Sequence, residues 1–186
     1  MKEPTSIRGE YERHGAEQFY RKSGKSYRNP HEPQIILAVD KATRQWKPDL
    51  TNVLDLAAGS GEITFALREH GAKKITGIDP YTFEAYESRT GNPGEKFTFE
   101  QIADGALAGR SFSLIVCSFA MHLCEASRLP GLALQLSVIA PQLVILTPHK
   151  RPVLRDEWGW KLAEELRVAR IRARLYNSSM AKRNEK

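Results

Sequence analysis

The sequence predicts a single α/β domain: one doubly wound, mostly parallel sheet with helices on both faces. Three observations predict it. Short apolar runs alternate with helical patterns, without internal repeats or low-complexity linkers. Turn residues punctuate the junctions, as in "TGNPG" at 90–94. A chain of 186 residues, 41% of them hydrophobic, also fills one core and not comfortably two.

The elements follow in order. Residues 1–48 read as a helical, basic segment, 49–149 as the sheet core and 150–186 as a closing helix and basic strand. In the first segment Asn29 and Pro30 suit an N-cap and first helical residue, with Glu32 at the capping-box position; Pro33 argues for a later start. Strands are predicted at 52–57, 74–79, 97–102, 112–118 and 142–147, and helices at about 61–71, 81–88 and 126–139. "ADGALAGRS" is too short for a crossover helix, so a single turn must serve there. "RDEWGWKLAEELRVA" (155–169) reads as a helix. In "RIRARLY", Ile171, Ala173 and Leu175 alternate with Arg170, Arg172 and Arg174, which favours a strand with one basic face, although the same residues also fit a helix.

Charge is unevenly placed. Residues 1–50 carry 10 basic and 7 acidic groups, 51–149 carry 7 and 10, and 150–186 carry 11 and 5. Basic ends around an acidic middle suit a polyanionic partner held by the ends, or plain solubilising surface. The opening "MKEPTSIRGEYERHG" lacks an apolar signal core, and no stretch is long and apolar enough to span a membrane, so an intracellular protein is expected. Cys117 and Cys124 fit reduced core thiols, and no His, Cys, Asp or Glu set has metal-ligand spacing.

The chemistry concentrates in "TNVLDLAAGSGEITFAL" (51–67). Gly59 and Gly61 fall where the first strand turns into a helix, at the carboxyl edge where open α/β sheets bind ligands. A dinucleotide fingerprint needs a third glycine three residues after the second, and Thr64 stands there instead. Asp55 lies four residues before Gly59, too near the strand end to remain buried and unpaired.

The D-x-x-x-G-x-G pattern from Asp55 to Gly61, Asp79 in "ITGIDP", Asp104 in "EQIADG" and the strand "FSLIVCSFAMHL" together resemble class I, Rossmann-like S-adenosylmethionine-dependent methyltransferases, over about residues 50–150. The resemblance implies S-adenosyl-L-methionine as cofactor, held by Asp55, Ala57, Gly59, Gly61, Asp79, Pro80, Ala103, Asp104 and Ser118. Asp79 would accept hydrogen bonds from the ribose hydroxyls, Asp104 from the adenine amino group, and Asp55 would organise the glycine loop and the ammonium end. It places the acceptor near Ser118, Phe119 and Met121. The exit "SFAM" departs from the Asn/Asp-Pro-Pro-Tyr/Phe signature of exocyclic-amine methyltransferases. One closing strand stands where the family has a hairpin, so a sheet shortened at its C-terminal end is expected.

A sulfonium methyl is already activated, so positioning should dominate the reaction. If the acceptor must lose a proton, a base with a pKa near 7 helps; His122 and His149 lie beyond strand ends at the predicted edge, beside Ser118 and Phe119. The acceptor would be held by the chain ends. "RKSGKSYRNPHEP" interleaves Arg21, Lys22, Lys25 and Arg28 with Tyr27, and Tyr27, Arg28, Asn29 and His31, with the row Arg170, Arg172 and Arg174, are the candidate acceptor contacts. RNA or a ribonucleoprotein is the expected acceptor. The alternatives are a small metabolite in a pocket of Tyr20, Tyr27, Phe119, Met121 and Trp158, or a binding or assembly factor without turnover.

Overall fold

The computed structural model describes Gly24 and residues 27–181, and places seven strands in one sheet. The strands are β1 (Val53–Leu56), β2 (Ile75–Ile78), β3 (Gly94–Glu95), β4 (Leu114–Ser118), β5 (Gln142–Thr147), β6 (Trp160–Val168) and β7 (Ile171–Ser178). Their order is β3-β2-β1-β4-β5-β7-β6, and every strand except β7 runs in one direction. Chain order reverses between β1 and β4, which makes the carboxyl edge there a topological switch point.

Helices cover both faces because the strands are apolar on both sides. Leu54 and Leu56 face a core shared with α4 (Phe99–Ala103) and α5 (Leu129–Ile139), whereas Val53 faces one shared with α1 (Glu32–Trp46) and α2 (Glu62–Glu69). The remaining helix, α3 (Phe83–Thr90), follows β2. Cys117 and Cys124 are buried free thiols. Among the described residues no helix is long and apolar enough to cross a membrane.

Three expectations need correction. Residues 97–102 are not the third strand: β3 is the pair Gly94–Glu95, and α4 starts after Thr98. Thr98 Oγ1 accepts from the Gln101 amide and the Gln101 side chain accepts from the Thr98 amide, a capping box that satisfies two orphan donors and turns Ile102 into the core. At α1 the N-cap is His31, two residues later than Asn29; Asn29 Oδ1 instead accepts from the His31 amide, and Pro33 occupies the first turn.

The third correction concerns 155–169, which is a short 3₁₀ turn at Asp156–Trp158 followed by β6. Gly159 takes φ +84°, and a Cβ there would lie 2.4 Å from Ser137 Oγ, so the chain turns away from a helix. Trp160 is then fully buried and its indole N–H donates to Ala133 O. β6 and β7 form an antiparallel hairpin through the two-residue turn Ala169–Arg170, with Ala169 at φ +53°. The sheet is therefore complete at this end and not shortened.

Candidate functional site

The third residue of β1 is a buried acid. Asp55 Oδ2 accepts from the Thr64 amide (3.1 Å) and hydroxyl (2.7 Å), and Thr64 Oγ1 lies 3.1 Å from Tyr86 Oη. Thr64, the residue replacing a third glycine, thus fixes the carboxylate. Asp55 Oδ1 is buried without a partner among the described residues. Burial raises the Asp55 pKa from its ordinary 3.8 to about 8, with the Thr64 hydroxyl opposing the shift and the Glu62 charge adding to it.

Beyond Asp55 the backbone turns left-handed at Ala57 (φ +56°), Gly59 and Gly61. Two clamps hold the turn. Asp79 Oδ2 accepts from the Gly59 amide (3.1 Å) and Oδ1 from the amides of Tyr81 and Thr82 (2.9 Å each), while Thr82 Oγ1 donates to Gly59 O. Pro80 sits in this second turn, between Asp79 and Tyr81. On the other side, the buried Glu62 accepts from the Ser60 amide and hydroxyl, and Arg89 donates to Ser60 O and Oγ and to Glu32 Oε1. Gly61 caps α2 at φ +91°, and a Cβ there would fall 2.4 Å from the Thr90 methyl. Gly61→Ala is expected to cost about 2 kcal/mol, from left-handed strain plus overlap. Urea unfolding checks this, and a loss below about 0.5 kcal/mol contradicts the geometry.

Residues 27–32 cross the same edge. The place of a Gly59 Cβ is 3.4 Å from the Tyr27 ring, the Asn29 amide donates to Glu62 Oε1 (3.3 Å), and Arg28 pairs with Glu32. His31 stacks on Phe119, with ring centroids 5.5 Å apart. Phe119 is itself strained at φ +56°, its amide donating to Leu146 O as the chain leaves β4. Ser118 Oγ, one residue earlier, is buried without a partner among the described residues. Arg21, Lys22, Lys25 and Tyr20 lie outside the described residues.

His122 and His149 are brought together by the exits of β4 and β5, with centroids 4.5 Å apart and planes tilted by 57°. Desolvation by the surrounding chain, with His149 second, lowers the His122 pKa to about 4, even though the residue keeps an exposed outer edge. It does not match a base poised near 7, and at neutral pH it offers a lone pair. Met121 is buried in the core and is no pocket residue.

Two groups of candidates are placed differently from expectation. Asp104 caps the C-terminal end of α4 and not a strand; its side chain is 62% exposed and pairs with Arg128 at 3.2 Å, while Ala103 packs against the core. Arg172 and Arg174 alternate on a strand as expected but present no free row. Both bind Glu165 at 2.7 Å, and Arg174, only 4% exposed, also donates to Lys150 O and Pro152 O. Arg170 stands apart, in the exposed hairpin turn. Sequence reasoning missed Glu62, Thr82 and Arg89. Glu62 had a local signal, an acid in the first turn after a glycine loop, whereas Arg89 is 29 residues from Ser60 and had none.

The arrangement fits a polar ligand carrying both a cation and hydrogen-bonding groups: Asp55 Oδ1 on β1 and Ser118 Oγ at the end of β4 are buried without partners among the described residues, on the two strands that flank the switch point. Residues 53–141 match the family described as "Methyltransferase domain". The chain is 33% identical to uncharacterized protein C17A5.05c of Schizosaccharomyces pombe, over 84% of this chain and 80% of that protein. Among solved structures it resembles magnesium protoporphyrin IX methyltransferase from Synechocystis PCC 6803 with bound SAM (TM-score 0.56, 16% identity, 96% of this chain and 100% of that chain). It also resembles ribosomal protein L11 methylase from Lactobacillus delbrueckii subsp. bulgaricus (TM-score 0.57, 19% identity, 82% and 81%). The matched domain, the strand order and the motif from Asp55 to Gly61 agree, and the chain belongs to the class I S-adenosylmethionine-dependent methyltransferases.

Proposed function

We propose that this methyltransferase acts on RNA, alone or within a ribonucleoprotein. The observation that carries the reading is the carboxyl edge itself, where Lys150, Arg151, Arg167 and Arg170 are exposed, the first two directly following His149 of the His122–His149 pair. Residues 150–186 hold 11 of the 28 basic groups of the chain, enough for a phosphate backbone to be attracted there.

S-adenosylmethionine, when bound, supplies a sulfonium methyl that an in-line nucleophile takes as the sulfur–carbon bond breaks. The residues of this chain bind and orient. Asp55 Oδ1 is the free acceptor for a ligand ammonium, Gly59 and Gly61 shape the turn, Asp79 holds that turn and keeps one acceptor position for a ribose hydroxyl, and Ser118 Oγ awaits a partner beside the acceptor. Tyr27, Asn29 and His31 cover the cleft. His122, neutral at pH 7, accepts a hydrogen bond from the N–H or O–H of the acceptor, with its ring placed by His149. Catalysis by orientation matches a His122 that is too weak a base to take a proton at neutral pH.

The test is transfer of tritium-labelled methyl from S-adenosylmethionine into total cellular RNA, followed by nucleoside analysis. A labelled nucleoside is expected. Label only in protein or small-molecule fractions overturns the RNA reading, and cofactor binding without any labelled product favours an assembly role.

A further inference from the structure

The four exposed cations come from the loop after β5 and from the end of the β6–β7 hairpin, at one edge of the sheet. β5 and β7 are antiparallel with Thr147 opposite Arg172, and Arg172 lies opposite Arg167 on β6. Neighbouring strands are about 4.8 Å apart, so Arg167 lies about 10 Å from the end of β5, with the Ala169–Arg170 turn just beyond it. Lys150 and Arg151 leave that same strand end.

Among the described residues nothing neutralises their charge. Lys150, Arg151, Arg167 and Arg170 have no ion-pair partner among the described residues. The hairpin acids are engaged elsewhere: Glu164 accepts from the Trp46 indole and the Gln45 amide, and Glu165 binds Arg172 and Arg174, whose hydrogen bonds hold its carboxyl below the usual range.

Arg174 explains how the loop is held. Its guanidinium donates to Glu165 through Nε and to the carbonyls of Pro152 (2.8 Å) and Lys150 (2.9 Å) through its two terminal nitrogens. A buried, planar fork committed to two backbone carbonyls fixes the path of residues 150–152, so the Lys150 and Arg151 side chains start from a fixed base. His149 precedes them and touches His122.

We infer that Lys150, Arg151, Arg167 and Arg170 form a phosphate-binding lip that seats the acceptor strand against the His122–His149 pair, with Arg174 as the positioning residue behind it. This rests on the RNA reading above and replaces the row Arg170, Arg172 and Arg174 by a different set of cations. The lip leaves Asp55, Gly59 and Asp79 free to bind cofactor independently.

The experiment is filter binding of polyuridylate at increasing salt, with methyl transfer measured in parallel. Changing all four lip residues to glutamine is expected to flatten the slope of log affinity against log salt by about 2–3, at about 0.7 per lost phosphate contact on a single strand. Cofactor affinity and the urea midpoint should be unchanged, since the four side chains are exposed. Lys73→Gln with Lys74→Gln, at the opposite edge before β2, should leave the slope intact. Arg174→Lys keeps the charge but loses the fork, and should raise KM for RNA while kcat and cofactor affinity persist. An unaltered slope in the fourfold variant, or an equal flattening by the Lys73 and Lys74 changes, overturns the lip. Salt-dependent binding by the wild type without labelled RNA overturns the RNA methylation reading and leaves the lip standing, whereas absence of polyuridylate binding by the wild type at low salt overturns both.

Discussion

Replacing Asp79 with alanine is expected to weaken S-adenosylmethionine binding by about 100-fold and to destabilise the chain by about 3 kcal/mol. The size follows from the number of donors that lose their acceptor. The Gly59, Tyr81 and Thr82 amides all point at this carboxylate, which is 9% exposed, so water reaches them poorly. A contact with two ribose hydroxyls alone would give only the affinity part of this effect. Asp79→Asn separates the roles: its oxygen can still accept from Tyr81 and Thr82, while its NH₂ group meets the Gly59 amide donor to donor. It should therefore retain most of the stability yet bind cofactor poorly. Calorimetry with the stable product S-adenosylhomocysteine and urea unfolding provide the two measurements. An alanine variant with native stability and native affinity would remove Asp79 from both roles.

The same local density explains what the sequence made legible. Asp55, Gly59, Gly61 and Thr64 lie within ten residues, so their spacing encodes most of the geometry of the turn. β4 and β5 were equally plain because strands buried on both faces read as unbroken apolar runs. β6 was not. Its Leu162 and Leu166 repeat at a helical interval, and Glu164 and Glu165 suit a helix surface; only pairing with β7, with a bulge between Leu162 and Glu164, makes a strand of it. The arginines of β7 were misread for a related reason. Alternation correctly placed Arg172 and Arg174 on one face, but Glu165 stands opposite them only once the hairpin register is known. At α4 the signal was present and local. Thr98 and Gln101 are a capping pair, and the apolar residues Phe97, Phe99 and Ile102 drew the assignment toward a strand instead.

Raising the pH from 5 to 8 is expected to destabilise the unliganded chain, and Asp55→Asn to remove most of that dependence. The sign follows from the direction of the Asp55 shift. In the unfolded chain the group ionises near 3.8; in the folded chain burial holds the proton on until about pH 8. The folded state therefore binds the extra proton between these values. Its contribution to stability is fully present below 3.8 and is lost progressively as pH rises through the folded pKa. At roughly 1.4 kcal/mol per unit, the loss across pH 5–8 approaches about 4 kcal/mol as an upper bound. Asparagine can accept from the Thr64 amide and hydroxyl through its oxygen without an ionisable group. Urea unfolding of both proteins across this range gives the comparison. Ligand binding should be coupled to the same proton, because an ammonium placed at the free Oδ1 stabilises the ionised form. At pH 6–7 the wild type should release close to one proton per cofactor bound, read by calorimetry in buffers of different ionisation enthalpy, and Asp55→Asn should release none. If the wild type releases no proton while binding normally, Asp55 stays neutral in the complex. Its free oxygen then meets a neutral donor, and the ammonium end of the cofactor must be held elsewhere, with Glu62 and Asp79 the other buried acids of the turn.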